Sequence, residues 1–353
     1  MKKRKKKKMS KVVKIIIMLL LVILIILLAL ALTNDDLEDV VPKKHKKEKE
    51  EPIRKINIVN EDSDKRPIAV MIDNNVGNNN HYGLSDAYIT YECIVEGGLT
   101  RIMAVYKDKD VEKIGPIRSS RHYFLDYALE EDSIYAHYGW SPFAQNDIKA
   151  LGVNNINGLT DNAYYRDKTK RSPHNVFTST ERLYNYAKEK GYKTSSDNWH
   201  LLNYSVDEIN LYNNETNTGK VDGVLPANKV DFNFSRSQSR TYNYNTDTKM
   251  YERMMNGVNH TDAETGNTLS YKNLIIIKVP NRTLDDYGRQ DLTTVGTHDG
   301  YFITNGYAAP ISAQKLSRKG KTKYTYKNGE EVKFNDGNTF IEVIPVNNNI
   351  EIE

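Results

Sequence analysis

The chain has 353 residues, 39% hydrophobic and 27% charged, with 50 Lys and Arg against 46 Asp and Glu. That balance supports a folded core and excludes bulk disorder. A single cysteine, Cys93, excludes an intramolecular disulfide framework and any cysteine-cluster metal site.

The charge is unevenly placed. Residues 1–14 hold nine basic side chains and no acidic one, so the other 41 basic residues face all 46 acidic ones, a net of −5. A body with that balance is a poor general polyanion binder, and nucleic acid is not an expected partner. Ile15 to Leu32 is a run of 18 residues without charge. As a helix it measures about 27 Å, close to a bilayer's hydrocarbon core. The basic block directly before it predicts a cytoplasmic N-terminus and a body on the far side. Ala29-Leu30-Ala31 offers a small-residue cleavage site, the alternative being a removed signal peptide. The run is longer than a signal core of about 7–15 residues, which favours an uncleaved anchor over residues 15–32. Residues 33–55 mix both signs of charge with few apolar residues and read as a linker.

The body starts with Pro67 to Asp73, a buried strand running into the polar loop Asn74 to Asn80. Ala87 to Val95 is a second strand, stopped by Gly97-Gly98, and Arg101 to Tyr106 a third. Ser119 or Ser120 is positioned to cap a helix over residues 121–130. Ser133 to His137 is a strand. Ser141-Pro142 opens a helix ending at Leu151-Gly152, and Ser179 or Thr180 opens another ending near Gly191. Strands alternating with helices predict an α/β or α+β domain over residues 56–200.

Beyond residue 200 helical periodicity fades. Strand-like runs recur at Lys229 to Phe234, Thr241 to Tyr244, Leu274 to Val279, Tyr301 to Thr304, Tyr324 to Tyr326 and Thr339 to Ile344. Asn256-Gly257, Asp299-Gly300, Asn305-Gly306, Asn328-Gly329 and Asp336-Gly337 are turn pairs between them. Residues 201–353 are thus expected to form a mostly antiparallel β domain. Met250 to Asn259 reads as a hairpin or a loop.

Polar residues collect near strand ends in the first half. Arg118-Ser119-Ser120-Arg121 at an expected helix start joins two guanidiniums, two hydroxyls and free backbone N–H groups, a pattern that favours phosphate or carboxylate. The structural alternative pairs these arginines with Glu92, Glu96 or Asp126. Arg166, Lys168, Lys170, Arg171 and His174 lie in one cation-rich loop, and Arg101 opens the third strand. Asp73, Glu92, Glu96 and His137 are candidate acid–base or ion-pair partners, with His137 and His174 a possible proton-transfer pair. The 24 tyrosines fit carbohydrate or peptide contact as well as half-buried strands. No metal-ligand spacing, phosphate-binding glycine loop or Gly-x-Ser-x-Gly elbow is present in the sequence, so neither cofactor nor metal is expected.

Four stretches carry a resemblance. Arg66 to Asn74, Gly83 to Arg101, Ile114 to Phe124 and Arg166 to Ser179 resemble, in order, the YerB-like bacterial lipoproteins, a two-part family of unknown function. Weaker likenesses follow at His260 to Gly266, Leu274 to Val279 and Gly329 to Pro345. The resemblance implies an exported, membrane-attached protein of two parts, and no reaction. This chain departs from the family in having no lipid-acceptor cysteine after its apolar run, and in Tyr165 where relatives carry tryptophan. The stretch around Arg101, Arg118 and Arg121 is also similar in pattern to cell-wall polymer transferases of the LytR–CpsA–Psr type, which implies a pyrophosphate-bearing lipid as ligand.

Three readings follow. In the first, a membrane-anchored protein binds an anionic envelope polymer or lipid through an arginine-lined groove. The second is an envelope enzyme acting on phosphate-linked glycans or polyprenyl pyrophosphate, and the third a protein-interaction scaffold.

Overall fold

The computed structural model describes residues 11–33, 55–75, 77, 79–198 and 202–353. The basic residues 1–10 and the linker residues 34–54 lie outside the described residues. Lys11–Thr33 forms helix α1, the one described helix long and apolar enough to cross a membrane. Its apolar side chains cover the whole circumference, so it has no polar face to turn toward water.

Residues from Arg54 onward form a separate compact unit. Its main sheet starts with β1 (Ile68–Asp73), β2 (Ile89–Ile94), β3 (Thr100–Tyr106), β4 (Ile134–His137) and β5 (Asn155–Asn157). Helices α2 (Phe124–Glu130) and α3 (Pro142–Leu151) connect the later strands, and α4 (Thr180–Glu189) follows. β3 lies antiparallel between β1 and β2, whereas β4 runs parallel to β1 and to β5. Every residue of β1 to β4 is buried, as expected of strands covered on both faces.

The same sheet continues into the second half. Thr339–Pro345 pairs in parallel with β2 on one side and with Asn273–Val279 on the other. Gly296–Thr304 and Tyr307–Lys315 then extend the sheet antiparallel. A second, wholly antiparallel sheet contains Lys229–Ser235, Gln238–Asn245, Met250–Met255 and Ile350–Ile352. Its strands alternate buried and open positions, so one face meets the core and the other meets water. An α/β first part and a mostly β second part are therefore present, sharing one sheet and one hydrophobic core.

Local signals explain most element ends. Ser141 Oγ accepts from the Ala144 amide, and Gly152 closes α3 at φ 67°. Ser179 caps α4 through the Arg182 amide. Asn305 and Gly306, both at positive φ, make the tight turn between two long strands. One expectation changes. Asp299-Gly300 is not a turn but mid-strand, where an added Cβ would stand 2.1 Å from the Ile276 carbonyl oxygen, so glycine serves a close strand approach. Tyr307–Lys315 is a strand despite Pro310, a residue that argues against one. Pro310 sits at the gap between two short edge partners, opposite neither Leu225–Pro226 nor Thr322–Tyr326, where a missing N–H costs little.

Candidate functional site

The cation-rich loop and the strand ends of the first half meet around one buried carboxylate. Asp73, the last residue of β1, is held by its amide bond to the Pro116 carbonyl and accepts the Asn75 amide on Oδ1. Its Oδ2 receives His174 Nδ1 at 2.6 Å and lies 2.8 Å from Arg118 Nε. Arg118 is fixed in turn by backbone bonds to Met71 and Tyr138. Its side chain remains half-buried and lines a cleft of about 300 Å³ with Ser119, Tyr138, Trp140, Leu159 and Arg166.

Arg166 approaches this cleft from the short hairpin Tyr165–Arg166 and Val176–Phe177. Its guanidinium donates to Asn175 Oδ1 at 2.7 Å and to the Tyr138 hydroxyl at 3.2 Å, and stands 5.2 Å from the Tyr138 ring centre. Among the described residues it has no carboxylate partner. The loop after it is ordered by Asp167, which accepts the Thr169 hydroxyl and the Lys113 ammonium. The Thr169 hydroxyl, with Lys113, holds the Asp167 carboxyl well below the usual carboxylate range. Arg171 is exposed.

The other expected residues are committed to structure. The helix near Arg118 starts at Phe124, with Tyr123 at its N-cap and no side-chain cap, so neither Ser119 nor Ser120 caps it. Its first amides already bond to Arg121, His122 and Tyr123 carbonyls in tight turns, which removes the free helix terminus expected there. Ser120 is buried and accepts the Tyr135 hydroxyl at 2.8 Å. Arg121 makes a two-pronged bond to Glu96 at 2.5 and 2.7 Å. Burial alone would raise Glu96, but Arg121 brings it below its ordinary value. Arg101 is buried and donates to the Ser119 carbonyl at 2.6 Å, and burial with the neighbouring Arg121 lowers it to about 10. His137 is buried behind the cleft, bonded to the Gly139 carbonyl and Asn155, and burial lowers it to about 4. It is a neutral packing residue, apart from the His174 pair.

Glu92 belongs to a different constellation. Its carboxylate is fully buried and takes Arg240, at 2.5 Å, and Arg253, both from the second sheet and equally buried. Asn74 also donates to it at 2.8 Å. Arg253 bonds Tyr242 and His260, and His260 Nε2 meets His81 Nδ1 at 2.8 Å. Tyr242 donates to Glu342 at 2.5 Å. Burial would raise Glu92, yet the two guanidiniums pull it down to about 2. Burial beside Glu92 pushes Glu342 well up. Arg240, Arg253, His260 and Glu342 were not expected to act together. A faint signal exists, since Arg240 and Arg253 occupy inward positions of alternating strands, where an unpaired charge is not tolerated.

Two family descriptions match the chain. The N-terminal domain of a protein of unknown function, DUF3048, matches residues 56–193, and its C-terminal domain matches residues 230–341. "Putative lipoprotein YerB" of Bacillus subtilis (strain 168) is 28% identical over 286 residues, covering 80% of this chain and 82% of the relative. The crystal structure of YerB from Bacillus subtilis superposes with a TM-score of 0.70 at 27% identity, over 82% of this chain and 94% of that one. With both domains present in order on the fold of YerB, the chain belongs to the YerB-like DUF3048 family.

Proposed function

We propose that this protein is held in the cell membrane by residues 15–32 as a single pass, N-terminus cytoplasmic, and that its extracytoplasmic body binds an anionic group of a cell-envelope component. The ligand's phosphate or carboxylate sits in the cleft between Arg118 and Arg166, with Tyr138 and Trp140 packing against its organic part. The observation that carries this reading is Arg166, a guanidinium lining a concave site with only neutral partners among the described residues. An arginine fork with unused donors favours a planar or tetrahedral oxyanion. His174, which shares Asp73 with Arg118, and Arg171, exposed in the same loop, are further donors for an anion.

One observation favours a second reading, the envelope enzyme. Asp73 on His174 Nδ1 fixes the imidazole's orientation and leaves Nε2 without a bonded partner among the described residues, the arrangement of a histidine acting as general base. In that reading the arginines stabilise charge developing on a phosphoryl or acyl group.

Trp140 lines the cleft and supplies the readout. Full-length protein is titrated with undecaprenyl phosphate, undecaprenyl pyrophosphate and a teichoic-acid fragment while tryptophan emission is followed. A saturable change, lost in Arg166→Ala and in Arg118→Ala with the fold retained, supports the anion site. No response to any of the three ligands, or one that survives both substitutions, removes it. Turnover of the pyrophosphate that disappears in His174→Ala selects the enzyme.

A further inference from the structure

The β-rich half has a second concavity, whose chemistry differs from that of the arginine cleft. It encloses about 540 Å³, within the ~300–1,000 Å³ usual for small-ligand sites. We propose that it binds a neutral sugar chain, on a tyrosine wall built by Tyr212, Tyr307 and Tyr244.

The wall is rigid. Tyr212 and Tyr307 stack face to face with ring centres 4.7 Å apart and planes within 5°. Both are half-buried, so part of each ring meets solvent. The Tyr212 hydroxyl is tied to Asn217 at 2.8 Å. Tyr244 lies over the tight Asn305-Gly306 turn, where a Cβ on residue 306 would stand 2.9 Å from the ring. Gly306 therefore lets the ring pack close against the turn. Flat, immobile aromatic surface is what the C–H face of a pyranose packs on, at little entropic cost.

Polar groups sit beside that wall in a fixed array. Asn305, almost fully buried, donates to Glu208 at 3.1 Å and Asn210 at 2.9 Å, and accepts from Lys272 at 2.6 Å. Glu208 is also paired with Lys249 at 2.7 Å. Asn305 is spent on holding this cluster together, while the partly exposed Glu208 and Lys249 offer an acceptor and a donor to adjacent hydroxyls of one sugar ring. The charges nearly balance: among the lining residues Glu208 and Glu215 stand against Lys220 and Lys249, and Lys272 behind Asn305 adds a single positive charge. A polyanion gains little from such a cleft, where two carboxylates would face it, and a purely apolar ligand would leave its polar groups unpaired. A polyhydroxyl ligand without net charge satisfies both conditions.

The test uses the full-length chain in a detergent with no sugar headgroup, titrated calorimetrically with chitotetraose, cellotetraose and maltotetraose. Saturable binding of at least one is expected. Tyr212→Ala should weaken it about tenfold or more. Lys249→Gln, at an exposed side chain that the fold does not need, should weaken it about threefold with an unchanged melting temperature. Arg166→Ala should leave it intact, which separates this site from the anion cleft. No binding of any of the three sugars, or binding that survives both Tyr212→Ala and Lys249→Gln, overturns the proposal.

Discussion

Two arginine clusters stand in the same body and do opposite work. Arg240 and Arg253 are fully buried, each on the Glu92 carboxylate, and join the second sheet to the first-half strand β2. Arg118 and Arg166 are open to a cleft, one facing a buried aspartate already shared with a histidine, the other facing only neutral groups. The difference is one of remaining capacity. A guanidinium enclosed by carboxylates has no exposed donor to offer a ligand, and removing its partner strands a charge in the core. A guanidinium on a neutral amide keeps donors for a ligand and tolerates loss. Burial and partner, more than residue type, separate architecture from recognition here.

The largest break in that comparison should come from Glu92→Gln. It leaves Arg240 and Arg253 buried with no full counter-charge, which costs about 3–5 kcal/mol. Chemical denaturation should show a large fall in midpoint, or little folded protein. A chain ending at residue 200 makes the reciprocal cut, stranding Glu92 and losing the strand Thr339–Pro345 beside β2, and should not yield a folded first half. A soluble, cooperatively unfolding fragment 55–200 would instead show that the two parts are independent domains.

Acid sharpens the same contrast by titrating the interior. His81 and His137 are lowered to about 4, and His260 further, each by burial first. The unfolded chain binds the His81 and His137 protons near pH 6.5 and the folded chain only near 4, so the contribution of these two rings to stability rises with pH across that window. As pH falls from about 6.5 to 4 each of these two rings should cost on the order of 3 kcal/mol. Below about 4.5 a second loss begins, because Glu92 is protonated in the unfolded chain first and in the folded chain only near 2. Denaturation midpoints measured from pH 7.5 to 3.5 should show the first slope, and His137→Gln should flatten it. An equal slope in that variant would remove His137 from the account.

Glu96→Gln is smaller in effect. It weakens a two-pronged, mostly buried bond to Arg121 but leaves an amide acceptor and the Ser120 carbonyl in place. A loss of about 1–3 kcal/mol is expected from denaturation, with ligand binding at the Arg118 cleft retained.

Legibility in the sequence followed the range of the forces involved. Period and punctuation mark β1 to β3, α3 and α4 within a residue or two, because capping and strand burial are local. The Asp73–Arg118–His174 convergence draws on residues that stand out as polar near strand ends. Their meeting depends on a loop 101 residues downstream of Asp73 folding back, which no local pattern states. The Glu92 knot was less legible still. Its partners lie 148 and 161 residues away, on strands whose charges look like solvent-facing positions until the alternation is phased. The helix expected over residues 121–130 forms only from Phe124, for a related reason. Ser120 is spent on Tyr135, a contact across the sheet, and so does not cap the next turn.

The smallest stability effect and the sharpest functional one should coincide at Arg166. Its bonds run to an amide and a phenol, and its side chain is exposed, so Arg166→Ala should change unfolding free energy by less than about 1 kcal/mol. If the cleft recognises an anion, the same substitution should abolish the tryptophan response to a phosphate-bearing lipid. Arg166→Lys should restore only part of it, because an ammonium cannot reproduce the planar fork. Lysine's single point charge would suffice only if binding depended on charge alone. Full recovery by lysine, with the slope of affinity against salt unchanged, would reassign the cleft from a shaped oxyanion site to a diffuse electrostatic patch.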